Sequence, residues 1–174
     1  MAGMRGDFLD FVDGACHRMV RLLMLDGACR QDAEDAVQEA FLQGWCEVVA
    51  GRWASIDNPS GWIRRVVWHV HRRPPGQKRI QPQIAHGIEV PDLADPGPGH
   101  ADLTEQTLIV MDALARLPET QRAVMALTMD GSSDTETAYL LSLTAQKVRD
   151  LRKQARTALR RNLAPRPGRR EDTQ

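Results

Sequence analysis

The stretch from Leu114 to Leu163, LARLPETQRAVMALTMDGSSDTETAYLLSLTAQKVRDLRKQARTALRRNL, constrains this chain most, because its stops and caps leave room for little except short helices at sharp angles. After Leu117-Pro118, the residues Val124, Met125, Leu127 and Met129 read as one apolar helix face, and Gly131-Ser132-Ser133 supplies a stop followed by a new cap. A second short helix is expected from about Asp134 to Leu141. Ser142-Leu143-Thr144 then makes a tight connection, with Thr144 placed to cap a third helix starting at Ala145. This is helix-turn-helix spacing. In the third helix Val148, Leu151, Ala155 and Leu159 share a face, leaving Lys147, Arg149, Lys153, Gln154 and Arg156 to project elsewhere. A cationic face backed by an apolar one suits a groove lined by phosphates, where Arg, Lys and Gln bond to base edges. The plainer alternative is a solvated basic helix in an ordinary bundle.

With 174 residues, 42% of them hydrophobic, the chain has material for one moderate core or two small ones. The N-terminal MAGMRGDFLDFVDGACHRMV is interrupted by Asp7, Asp10 and Asp13 and lacks the apolar run of a signal peptide or transmembrane helix. A cytoplasmic protein without membrane insertion is therefore expected. Cys16, Cys29 and Cys46 form neither an even set nor a C-x-x-C pair, so reduced, mostly buried thiols are expected rather than disulfides or a zinc site. No metal and no cofactor is implied.

Lys plus Arg and Asp plus Glu both number 23, a balance that looks wrong for a nucleic-acid partner until it is read by segment. Asp32, Glu34, Asp35, Glu39 and Glu47 make an acidic stretch. Arg64, Arg65, Arg72, Arg73, Lys78 and Arg79 make a basic one. Acid returns from Glu89 to Glu105, and positive charge accumulates again from Lys147 to Arg170. Such alternation suits one acidic surface for a protein partner and two basic ones for nucleic acid, although solvated helix faces produce it too.

A proline- and glycine-rich segment carries no period and reads as a linker over 74–103. The pattern on either side is helical, without a convincing strand. The expected fold is all-α, two small helical domains at 1–73 and 104–163, with a basic tail at 164–174.

Two stretches of the first domain carry chemistry. From Gln31 to Leu42, acids crowd the first turn of a helix, where they complement its dipole, and Ala33, Val37, Ala40 and Phe41 line the inner face. The outer face is acidic and amide-rich. Carboxylates so arranged suggest metal binding or acid-base work, but without a nearby His or facing acids a docking surface is the more economical reading. The second stretch, Asn58 to Arg73, interleaves tryptophans and histidines with arginines, which offers flat surfaces for unstacked bases and cations for phosphates. Trp62, Val66 and Val70 recur at helical spacing, so Trp62 serves equally as core. Arg64, Arg65, His69, Arg72 and Arg73 are the better contacts.

Taken in order, these segments resemble a bacterial RNA polymerase sigma factor of the extracytoplasmic-function (ECF) type. DAEDAVQEAF at Asp32 to Phe41 is similar to the family's polymerase-binding helix, NPSGWIRRVVWHV to its promoter-melting segment, and LARLPETQRAVMAL with the helix-turn-helix to its C-terminal domain. The resemblance implies a promoter-specificity subunit, not an enzyme, with core RNA polymerase and promoter DNA as partners. Asp32, Glu34, Asp35, Gln38 and Glu39 would face the beta-prime clamp helices. Asn58, Trp62, Arg64, Arg65, Trp68, His69, Arg72 and Arg73 would recognise and open the minus-ten element. Lys147, Arg149, Asp150, Lys153, Gln154 and Arg156 would face the minus-thirty-five element, and the apolar surface near Leu117 to Leu127 would help dock on the beta-flap. The linker would thread toward the active-site channel. An anti-sigma protein is a further partner the resemblance admits.

The chain departs from the family pattern at Val67, Trp68 and His69, at Leu151-Arg152, and at Ser142, which replaces a turn glycine; an unusual promoter sequence or an atypical subgroup is implied. Asp150 would repel phosphate, yet its carboxylate suits a cytosine amino group. The alternative function is a free-standing helix-turn-helix regulator whose N-terminal domain senses or dimerises. It leaves the acidic helix and the Trp/Arg helix unexplained. A small helical enzyme would need Cys16, His17 or His69 to converge on the acids, which nothing in the pattern requires.

Overall fold

The computed structural model describes residues 2–74 and 105–163, and within them every regular element is helical. The described helices are α1 (Ala2–Leu25), α2 (Arg30–Val49), α3 (Pro59–His71), α4 (Glu105–Ala115), α5 (Glu119–Met129), α6 (Asp134–Leu141) and α7 (Ala145–Leu163), with one 3-10 turn at Trp53–Ser55. The chain is all-α. It divides into two compact units, Met1–Thr104 and Glu105–Gln174. The expected linker, apart from Pro74, and the expected tail at 164–174 lie outside the described residues.

In the first unit α1 ends where Gly27 takes φ 105°, and the Ala28 N–H reaches back to the Leu23 carbonyl at 3.0 Å. α2 begins on an unusual cap: the Cys29 sulfur accepts the Asp32 N–H at 3.3 Å. α2 buries Ala33, Val37, Ala40 and Phe41, the expected inner face, and also Trp45. The core is aromatic and centres on Trp53. Its ring meets Phe8 edge-on at 4.8 Å and Trp62 edge-on at 6.0 Å, with Phe11 tilted at 5.4 Å. Edge-to-face pairs set the rings' quadrupoles favourably, worth about 1 kcal/mol each beyond burial.

The phase of α3 differs from expectation. Ile63, Arg64, Val67 and Trp68 are buried, whereas Trp62, Val66 and Val70 are only half-buried. A single apolar spacing cannot fix the phase of a helix that packs against both α1 and α2, because each neighbour claims part of its circumference. The thiols also differ: Cys29 is exposed at its cap and Cys16 and Cys46 are half-buried, all three unbridged.

In the second unit the helix limits match expectation residue for residue at Asp134, Leu141 and Ala145, because the signals there are local. Gly131 stops α5 with φ 86°, and Ser133 then forms a complete capping box with Glu136 at the start of α6. Thr144 Oγ1 accepts the Lys147 N–H at 3.2 Å, starting α7. Val124, Ala138, Val148 and Leu151 close the core between α5, α6 and α7, with Leu141, Leu143 and Ala145 packed around them. Met129, expected on the apolar face, is exposed instead, because it falls on the last turn of α5 beyond that core. Leu117, Val124 and Leu127 are buried in their own unit and offer no apolar docking surface. The exposed large apolar residues of α4 are Leu108 and Ile109.

Candidate nucleic-acid interface

α7 presents the arrangement expected of a groove-binding helix. Val148, Leu151 and Ala155 face the core, while Lys147, Arg149, Asp150, Lys153, Gln154 and Arg156 are exposed. The angle between α6 and α7 is clamped by charge. Arg152 donates through both terminal nitrogens to the two oxygens of Asp134, the first residue of α6, and Arg149 Nη1 lies 3.8 Å from the same carboxylate. A bidentate guanidinium-carboxylate pair fixes direction as well as distance, so it helps set how α7 meets α6. Gln121 of α5 donates to Gln154 at 3.4 Å, a weaker tie.

Along the exposed face a polar chain runs up the first turns of α7. Arg149 Nη2 donates to Gln146 Oε1 at 2.8 Å, and Gln146 Nε2 donates to Asp150 Oδ1 at 3.0 Å.

The first unit distributes its candidates differently. Trp68 and Arg64, expected to meet nucleic acid, are 2% and 7% exposed. They fill space between helices, and that burial leaves them no face to offer a strand. Asn58 caps α3 by accepting the Gly61 N–H at 2.9 Å, so its side chain serves the fold. Trp62 turns its ring edge-on to Trp53. Arg65 and His69 are exposed, one turn apart, and the His69 Nδ1–H donates to the Arg65 carbonyl at 2.7 Å.

Arg72 and Arg73 are drawn inward by acids. Arg72 donates to Asp26 at 2.7 Å and lies over the Trp68 ring at 5.0 Å, while His71 approaches the same carboxylate at 3.5 Å. The Asp26 side chain is 1% exposed, and a carboxylate so far from water requires cationic neighbours. Arg73 donates to Glu39 at 2.7 Å. A residue expected to face DNA and one expected to face a protein partner are thus bound to each other. On the acidic helix Asp32, Asp35 and Gln38 are exposed, and Glu34 pairs with Arg30 one turn earlier at 2.7 Å.

No family model matches the chain. Two curated proteins do, both described as the ECF RNA polymerase sigma factor SigM, from the ATCC 35801 (Erdman) and H37Rv strains of Mycobacterium tuberculosis. Each is 31% identical over 149 residues, covering 84% of this chain and 72% of the relative. The chain belongs to the ECF sigma factor family. The resemblance drawn from the acidic helix, the Trp/Arg helix and the helix-turn-helix is therefore shown at family level.

In this sigma factor the sequence reading missed Asp26 and Asp134, the two acids that organise arginines, and Cys29 as a cap. Asp134 had a usable signal, since an acid in the first turn of a helix is favoured by its dipole, and the helix that follows is rich in arginine. Asp26 had none. Its partners Arg72 and His71 lie far along the chain and reach it only through the packing of α3. No helix among the described residues is long and apolar enough to cross a membrane, and none of their His, Cys, Asp and Glu side chains cluster as metal ligands.

Proposed function

We propose that this sigma factor binds core RNA polymerase through the exposed acidic face of α2, reads the minus-thirty-five element with α7, and engages and opens the minus-ten element along α3, working in the cytoplasm. The observation that carries the reading is the cationic face of α7, left exposed on a helix whose apolar side is seated against α5 and α6 and whose direction Asp134 holds. On α2, Asp32, Asp35 and Gln38 are the exposed groups, so they carry docking; Glu34 and Glu39 reach a partner only by giving up Arg30 and Arg73. On α3 the contacts reduce to Arg65 and His69; Arg72 and Arg73 reach DNA only by giving up Asp26 and Glu39.

The mechanism is positioning. Two DNA-contacting units in one chain gain affinity through effective concentration once polymerase fixes their separation, so the free protein binds promoter duplex poorly. Opening is driven by capture of an unstacked base, whose contacts offset an unstacking cost of a few kcal/mol. None of these steps needs a catalytic residue.

Run-off transcription with bacterial core polymerase on a promoter library tests the reading, comparing wild type with an Asp32→Arg, Asp35→Arg double variant. Both side chains are exposed, so charge reversal disturbs no packing, and the loss of Asp32 from the first turn of α2 costs at most about 1 kcal/mol. Specific transcripts that vanish in the variant are expected. Tight duplex binding by the protein alone, with no transcript, would instead establish a free-standing regulator.

A further inference from the structure

The polar chain on α7 has more order than a solvated helix face requires. Starting inside the unit, Arg152 grips Asp134; Asp134 lies 3.8 Å from Arg149; Arg149 donates to Gln146; and Gln146 donates to Asp150. Five residues from two helices form one continuous relay that ends on an exposed carboxylate. That carboxylate stands among the exposed basic side chains Lys147, Arg149, Lys153 and Arg156. Against phosphate it is repulsive, so its contribution to binding must come from a donor on a base edge.

We propose that Arg149 and Asp150 act as one preset reading unit for a cytosine beside a guanine, with Gln146 and Asp134 as positioning residues; this rests on α7 being the groove-entering helix. A carboxylate only accepts. In the major groove guanine and thymine present acceptors to it, and adenine's amino group sits next to the N7 acceptor, whereas cytosine presents its amino donor with no acceptor of its own beside it. Asp150 therefore selects cytosine. Arg149 only donates, and the bidentate match for its fork is guanine O6 and N7. Gln146 ties the two together by accepting from the arginine and donating to the acid, so the pair is ordered before DNA arrives. The cost of immobilising two long side chains is then met in folding rather than in binding. Asp134, anchored by Arg152, keeps Arg149 close to the α6 side of the helix.

The test is transcription by the full chain with bacterial core polymerase on promoters randomised across the upstream element, each carrying a unique tag in its transcribed region, so that sequencing the tags in the transcripts gives base preference at each position. Wild type is expected to favour cytosine at one position by about tenfold, with guanine favoured at a neighbouring one. Asp150→Ala flattens the cytosine position alone. Asp150→Asn moves that position to adenine, because a carboxamide both donates and accepts and so matches adenine N7 and its amino group. Gln146→Ala weakens both preferences while leaving the melting temperature unchanged, as its side chain is exposed. Unchanged preferences in both Asp150 variants, or a uniform gain across all sequences, would overturn the proposal. If wild type with polymerase gives no sequence-dependent transcript at all, the sigma reading itself fails, and this inference with it.

Discussion

Ser142 ends α6 at φ 53° and ψ 43°, and among the described residues it is the sole non-glycine with positive φ. A side chain in that region costs about 1 kcal/mol through contact between Cβ and the following carbonyl. Ser142→Gly removes that strain, and calorimetry is expected to show the second unit melting several degrees higher. A second residue-scale effect is electrostatic. Arg52 donates to both oxygens of Glu47, at 2.6 and 2.8 Å, and this hydrogen-bonded pairing holds the Glu47 carboxyl below its ordinary value. A depressed folded-state value means the stabilisation is complete above the ordinary carboxylate value of about 4.3 and disappears as pH falls through the folded one. The difference in melting temperature between wild type and Glu47→Gln is expected to be present at neutral pH and to close in acid.

At the scale of elements, the approach of α1 to α2 depends on Gly44. A methyl there would meet Phe8 Cε2 at 2.8 Å, and Phe8 is fully buried against Trp45 and Trp53 with nowhere to retreat. Glycine to alanine inside a helix ordinarily gains up to about 1 kcal/mol. Gly44→Ala is expected to lose about 1–3 kcal/mol in urea unfolding, because overpacking outweighs the propensity gain. The helices themselves were largely legible in the sequence. Ser133 with Glu136 and Thr144 with Lys147 act within three residues, so reading the chain locally finds them. The facing of α3 was not legible. Trp62, Val66 and Val70 make an apolar row of the right spacing, yet Ile63, Val67 and Trp68 are the residues that α1 and α2 enclose.

Across the whole molecule, zero net charge conceals its segregation. Arg72 and Arg73 neutralise Asp26 and Glu39 internally, whereas Lys147, Lys153 and Arg156 remain on an exposed face. Promoter affinity of the polymerase complex is thus expected to fall steeply with salt through counterion release. Lys153→Ala should weaken binding similarly across promoter sequences and lower the log-log salt slope by about 1, measured by fluorescence anisotropy. A sequence-dependent loss would instead assign Lys153 to base reading.

The sequence by itself determined the helical class, the limits of α6, the start of α7, the inner faces of α2 and α7, and through three ordered motifs the family. Each of these depends on residues within a turn or two of one another, where capping and periodicity operate. Tertiary structure alone decided which charged residues remain available. Arg73 meets Glu39, and Arg72 meets Asp26, across 34 and 46 positions of chain. Arg64 and Trp68 disappear into a core assembled from three helices. A buried acid is stabilised by whichever cation the packing brings to it, and no local pattern records that choice.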